Sequence, residues 1–140
     1  MNRLSSFLPG LVLLVLLAPS AFSQQRYDSG PWKGFQMGRP EGLPLTFAPI
    51  HCGANLNGSV NLEGKRAIAG VVVELRGPGG KTEVRAAKTD AGGHFAFHAL
   101  ADGTYQLKTT RDGFGSAVGT VEVSHSSKSE PVVLKIRYAM

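Results

Sequence analysis

The residues best equipped for chemistry are few and scattered. Four histidines, one cysteine and ten acidic residues occur in a chain of 140. His94 and His98 bound a segment, His94-Phe95-Ala96-Phe97-His98, whose alternation reads as a strand. Both then share one face, but four residues of strand separate them by roughly 13 Å, too far to chelate one ion. His51 and His125 stand far from that segment in sequence. Glu63, Glu74, Glu83 and Glu122 fall in separate strands or turns and form no paired-carboxylate signature. Ser124, Ser126, Ser127 and Ser129 surround His125 as a polar loop. Gly-x-Ser-x-Gly, His-Glu-x-x-His and phosphate-loop patterns do not occur. The expectation is therefore no catalytic residue, no metal ligand and no cofactor. Cys52 stands alone and cannot close an internal disulfide, so the fold must rest on its core. In an oxidising compartment this thiol is either buried or free to bridge another chain.

What remains is binding rather than catalytic chemistry. Fifteen Lys and Arg oppose ten Asp and Glu, a formal charge of +5. The basic residues run from Arg26 to Arg137 with no stretch longer than Lys65-Arg66, which reads as a solvated surface with weak attraction for acidic polymers or lipid headgroups, not as a nucleic-acid site. Trp32, Phe35, Phe47 and Phe114 are the candidate contacts for a ligand or partner.

The first residues set the compartment. Arg3 is followed by the apolar run Leu11 to Leu17, by Pro19, and by the small-x-small pattern Ala21-Phe22-Ser23. This predicts a signal peptide over residues 1–23, cut after Ser23, and an exported protein, periplasmic or extracellular. The run is well short of the ~20 residues that span a bilayer, so no membrane-spanning segment is expected. Cys52 follows Pro49-Ile50-His51, which is unlike a lipid-attachment site.

Residues 24–54 carry Pro31, Pro40, Pro44 and Pro49 among several glycines and show neither helical nor strand periodicity. They read as a Pro/Gly-rich arm or linker. Trp32, Phe35, Met37, Leu43, Leu45, Phe47 and Ile50 are too many apolar groups to leave in water. They either pack on the domain C-terminal to them or await a partner.

From Leu56 onward the pattern changes to short β-branched and aromatic runs between Gly, Asp and Asn turns. The runs are Leu56 to Leu62, Val71 to Arg76, Thr82 to Thr89, Phe95 to Ala99, Thr104 to Thr110, Val118 to Val123 and Val132 to Tyr138. These seven short strands, with no helical apolar stripe, predict an all-β sandwich over residues 55–140. Alternation puts Val71, Val73 and Leu75 on the core side, with Phe95 and Phe97, Tyr105 and Leu107, Val121 and Val123, and Ile136 and Tyr138. Gln106 and Lys108 are expected to face solvent.

Three motifs occur in order: Gly70-Val71-Val72-Val73-Glu74-Leu75, then Thr89-Asp90-Ala91-Gly92-Gly93-His94-Phe95-Ala96-Phe97, then Leu100-Ala101-Asp102-Gly103-Thr104-Tyr105-Gln106-Leu107 with Gly113-Phe114 beyond. Together they resemble the carboxypeptidase regulatory-like domains, a group similar to transthyretin-like and Cna-B-type sandwiches. The resemblance covers about 55–138 and implies a single Greek-key, prealbumin-like sandwich. Fold alone does not assign function. Cna-B-type domains often carry a Lys–Asn isopeptide cross-link, but the last strand here holds no Asn, so none is expected.

The conspicuous motif residues have structural work to do. The Asp90 carboxylate can accept N–H groups two or more residues on, Gly92 or Gly93 can supply the positive φ of the turn, and Gly103 can do the same after Leu100. Tyr105 can bury its ring and send its hydroxyl to a loop carbonyl. Two functions fit such a chain. One is a non-catalytic module for protein interaction or structural support at the cell envelope, docking on an envelope or extracellular protein through a strand edge or the aromatic arm. The other is a carbohydrate-binding module of starch-binding-like fold, with polysaccharide as its partner. Two coplanar exposed rings among Trp32, Phe35, Phe47 and Phe114 would favour the sugar.

Overall fold

Period-two alternation is what a strand needs when one face is buried, and β-branched or aromatic residues supply the buried side. The computed structural model describes residues 25–63, 65–78 and 83–139, so the expected signal peptide over 1–23 lies outside the described residues. The strands are β1 (Leu45–Thr46), β2 (Ile50–Cys52), β3 (Leu56–Leu62), β4 (Arg66–Ala67), β5 (Val72–Arg76), β6 (Val84–Lys88), β7 (His94–Phe97), β8 (Gly103–Thr110), β9 (Phe114–Gly115), β10 (Ala117–Val123) and β11 (Val132–Tyr138). No helix occurs among the described residues, and therefore none there is long and apolar enough to cross a membrane.

The fold is all-β, but with eleven strands among the described residues rather than seven. The four additional strands, β1, β2, β4 and β9, are two or three residues long. Segments that short carry no period, so alternation cannot reveal them. Two of them, β1 and β2, come from the Pro/Gly-rich segment before Asn55 and pair in parallel with β10.

Two sheets pack face to face. The larger runs β1-β10-β8-β5-β6, with β2 also on β10; the smaller runs β4-β3-β11-β9, with β7 also on β3. The chain passes between sheets at Ser116, since Gly115 pairs with Arg137 of β11 and Ala117 already pairs with Leu45 of β1. Leu56, Val60 and Leu62 of β3 meet Val73, Leu75, Tyr105, Leu107 and Val121 from the opposite sheet, and Phe95, Phe97, Leu134 and Ile136 complete the core. The Phe95 and Phe97 rings meet edge to face at 6.2 Å.

Two side chains depart from the exposure expected of them. Tyr138 is 51% exposed rather than inward, because the end of β11 runs past the core onto the short strand β9. Lys108 points away from the core as alternation requires, yet it is buried, because residues 25–41 cover that outer face.

Candidate functional site

The turn residues sit where local backbone chemistry holds them. Asp90 Oδ1 accepts the N–H groups of Gly92 and His94, each at 2.9 Å. These N–H donors, His94 first, hold its carboxyl below the usual carboxylate range. Gly93 takes a φ of 79°, and a Cβ there would lie 2.6 Å from the Ala67 Cβ. Gly103 comes at the start of β8, and the Tyr105 hydroxyl donates to the Ala101 carbonyl at 2.8 Å. All four residues therefore hold turns or strand ends, and no cleft brings them together. Asp90 alone borders a cleft, of about 600 Å³, with His94, Asn57 and Ser59.

The four aromatic candidates are not gathered either. Phe35 is fully buried; Trp32 meets it edge to face at 5.2 Å, and the Arg76 guanidinium lies 4.7 Å from its ring centre. Phe47 is half-buried, with its ring laid on Gly119 so closely that no Cβ would fit. Phe114 stacks on Tyr138 with centroids 5.1 Å apart and planes 24° apart, and Arg111 lies 5.4 Å from the Phe114 ring centre. No two of the four form an exposed coplanar pair. Tyr138 is the ring that sequence reasoning misplaced; it is exposed and borders a depression of about 490 Å³ with Leu43, Glu63 and Arg137.

The outer face of the larger sheet is sealed by charge. Glu74 and Lys108 are cross-strand neighbours on β5 and β8, and both are buried. Glu74 accepts Arg26 Nη1 at 3.0 Å and the Gln36 N–H at 2.8 Å. Lys108 Nζ donates to the Gln36 carbonyl at 2.8 Å, to Thr110 Oγ1 at 2.8 Å, to Ser116 Oγ at 3.1 Å and to the Glu41 carboxylate. The Tyr27 hydroxyl donates to the other Glu41 oxygen. Burial pushes the Tyr27 phenol up to about 12, helped by Glu41. Burial also pulls the Lys108 ammonium down, against the pull of Glu41. Burial alone would raise the Glu41 carboxyl, but hydrogen bonds from Lys108 and Tyr27 outweigh it and hold the carboxyl low. Each buried charge thus has an opposite charge in contact, as burial demands.

The side of the sandwich where β1 and β11 approach each other is different. Ile136 accepts the Glu63 N–H at 2.7 Å, so even-numbered residues of β11 turn their main chain toward β3. Val133 and Lys135 then turn theirs away. On that side β9 pairs only with Arg137 and Tyr138. Across the gap, Leu45 and Phe47 donate to Ser116 and Val118 of the β10 segment at 2.8 and 3.0 Å, so Thr46 turns its own main chain outward. Between them lies a cleft of about 310 Å³ lined by Leu45, Thr46, Phe47, Ala117, Val133 and Lys135. Val133 is 55% exposed, and Leu43, just beyond the cleft, is 79% exposed.

Histidine chemistry stays pairwise. His125 Nδ1 bonds Asp102, His94 Nδ1 lies 3.7 Å from Asp90, and His51 Nδ1 lies 3.6 Å from Glu122. No group of three or more His, Cys, Asp or Glu suited to a metal occurs among the described residues. Cys52 is buried, and burial pushes its thiol up.

No curated protein matches the chain. Similar solved structures include a DUF3823-family protein of Parabacteroides merdae, at 26% identity over 61% of this chain and 46% of that one, with a TM-score of 0.47. The minor pilin of Streptococcus agalactiae is similar at 25% identity, covering 62% of this chain and 45% of that one, TM-score 0.46. A candidate carbohydrate-binding protein of Pseudomonas aeruginosa is similar at 19% identity, covering 59% and 87%, TM-score 0.45. The chain thus spans under half the length of the first two of these relatives. The family profile for the carboxypeptidase regulatory-like domain matches residues 55–136, and with its three motifs in strand and turn positions the chain belongs to that family.

Proposed function

We propose that this chain is an exported, non-catalytic docking module that binds another protein at the cell envelope through the β1–β11 side of its sandwich. The observation that carries the reading is the pair of strand edges there. Val133 and Lys135 on one side and Thr46 on the other have main-chain groups directed away from their sheets, beside exposed apolar side chains. Unpaired strand edges are the ordinary means by which sandwiches recruit an extended partner segment. Export rests on the Leu11 to Leu17 run and Ala21-Phe22-Ser23.

The test is a pull-down from envelope extract with the wild type and with Val133→Pro. Proline at an edge position whose N–H faces outward is tolerated by the strand but removes the donor a partner would use. Capture by the wild type and loss of it in a normally folded Val133→Pro variant supports the reading; equal capture by both overturns it. A second reading, carbohydrate binding, is favoured by the exposed Tyr138 ring beside Glu63 and Arg137. A glycan array run with wild type and Tyr138→Ala decides it: binding lost in the variant favours sugar.

A further inference from the structure

We infer that the cleft between β1 and β11 receives an extended acidic segment of a partner as an added strand, running antiparallel to β11. This deepens the docking reading and rests on it.

Geometry sets the form of the occupant. β1 runs parallel to β10, and β9 runs antiparallel to β11 and leads directly into β10, so β1 and β11 run in opposite directions along the cleft. An added strand can therefore pair antiparallel with β11 while lying parallel to β1. The free stretch, Val133 to Lys135, is about 10 Å long and matches a short extended segment, not a helix. Its floor is apolar: Ala117 is buried, Phe47 lies against the core, and Val133 supplies the rim. An occupant places alternate apolar residues inward and leaves the others to the rim.

Charge sets its chemistry. Lys135 lines the cleft, Arg137 comes two residues on, and Arg66 reaches the Tyr138 hydroxyl at 3.3 Å at the same end. All three cations are exposed, and Glu63 is the single acid lining either depression on this side. An edge lysine ordinarily keeps a strand from pairing with another copy of itself. The same charge selects an acidic partner over a second copy of this basic chain, whose formal charge is +5.

The experiment appends the probe to the full chain. β11 ends at Tyr138, so a five-residue Val-Asp-Val-Asp-Val segment joined after Met140 by a flexible Gly/Ser linker is presented at high effective concentration to the adjoining edge. A matching Val-Lys-Val-Lys-Val fusion is the control. Amide hydrogen exchange is read at Val133, Lys135 and Thr46. The acidic fusion is expected to slow exchange at these three amides, the basic fusion to leave them unchanged. In the acidic fusion, Lys135→Glu is expected to weaken the protection about fivefold, the scale of reversing one exposed charge pair. Equal protection by both fusions overturns the acidic selection and leaves edge docking standing. Protection at other amides, or at none, overturns the inference itself, while the Val133→Pro pull-down judges docking independently.

Discussion

Replacing Glu41 by Gln tests whether residues 25–41 are held on the sandwich by the buried charges. The variant keeps size and hydrogen-bonding atoms but removes the negative charge that touches Lys108. The Lys108 side chain is 3% exposed and Glu41 is 15% exposed, so water screens little of the loss. Removing one partner of a buried pair costs about 3–5 kcal/mol. Lys108 keeps three neutral oxygens at 2.8–3.1 Å, and Glu74 still acts on it at longer range, which puts the cost at the lower end, about 3 kcal/mol. At roughly 4 °C per kcal/mol for a chain of this length, Tm falls by about 12 °C at pH 7. The pH dependence supplies an internal control. The folded Glu41 carboxyl is depressed, so its contribution is present above the unfolded value, near 4.5, and is lost as pH falls through the folded value. The Tm gap between wild type and variant should therefore close on acidification below that range. Melts by circular dichroism from pH 7 downward measure it. A loss under about 1 kcal/mol at pH 7, the scale of an exposed pair, or a gap that persists unchanged in acid, refutes the reasoning.

Removing residues 25–54 strips β1 and β2 from β10, uncovers Glu74 and Lys108, and deletes the buried Phe35, whose ring alone is worth about 3–5 kcal/mol; the fragment 55–140 should melt more than 10 °C below 25–140 by the same scaling, and equal melts would contradict it. Asp90→Asn keeps the oxygen that accepts from Gly92 and His94 and should retain Tm, whereas Asp90→Ala should lower it; identical melts for both would show that the carboxylate does not hold the turn. Cys52 is 1% exposed and its thiol is pushed up, so a thiol-reactive dye should label it only after denaturation; rapid labelling of the folded protein would place the thiol at the surface.

The core was legible because its signal is local. Val73 and Leu75, Phe95 and Phe97, and Tyr105 and Leu107 are each two residues apart, and all six are buried in the core. The turn chemistry of Asp90 and Gly93 was legible for the same reason, since its partners lie within four residues. Lys108 was not. Alternation assigns it correctly to the outer face, but what covers it is the Gln36 carbonyl, 72 residues earlier, and Glu41, 67 residues earlier. No pattern within a strand encodes such a cover. Tyr138 failed similarly: it continues the spacing of Leu134 and Ile136, and only the end of the opposing sheet decides that the third residue of the series is exposed. The cleft was illegible because it depends on β1 and on the shortness of β9, both two residues long.

Lys108 and Tyr138 also bear on where a partner can reach the molecule. A sandwich offers two outer faces and its open edges. One outer face, that of the larger sheet, is occupied at Glu74 and Lys108 by the chain's own residues 26, 36 and 41, and opening it would leave two buried charges to be resolvated. The β1–β11 side asks nothing comparable of a ligand. Its outward main-chain groups are in water when the protein is alone, so pairing replaces water bonds one for one, and the gain comes from covering Val133 and the neighbouring apolar floor. Val133 and Leu43 are two of three large apolar residues left exposed among those described, and Tyr138 is the third; all three lie along this side. Because residues 25–41 are committed to covering the larger sheet, docking at the proposed β1–β11 edge would leave the Glu74 and Lys108 contacts intact, whereas docking on that outer face would break them.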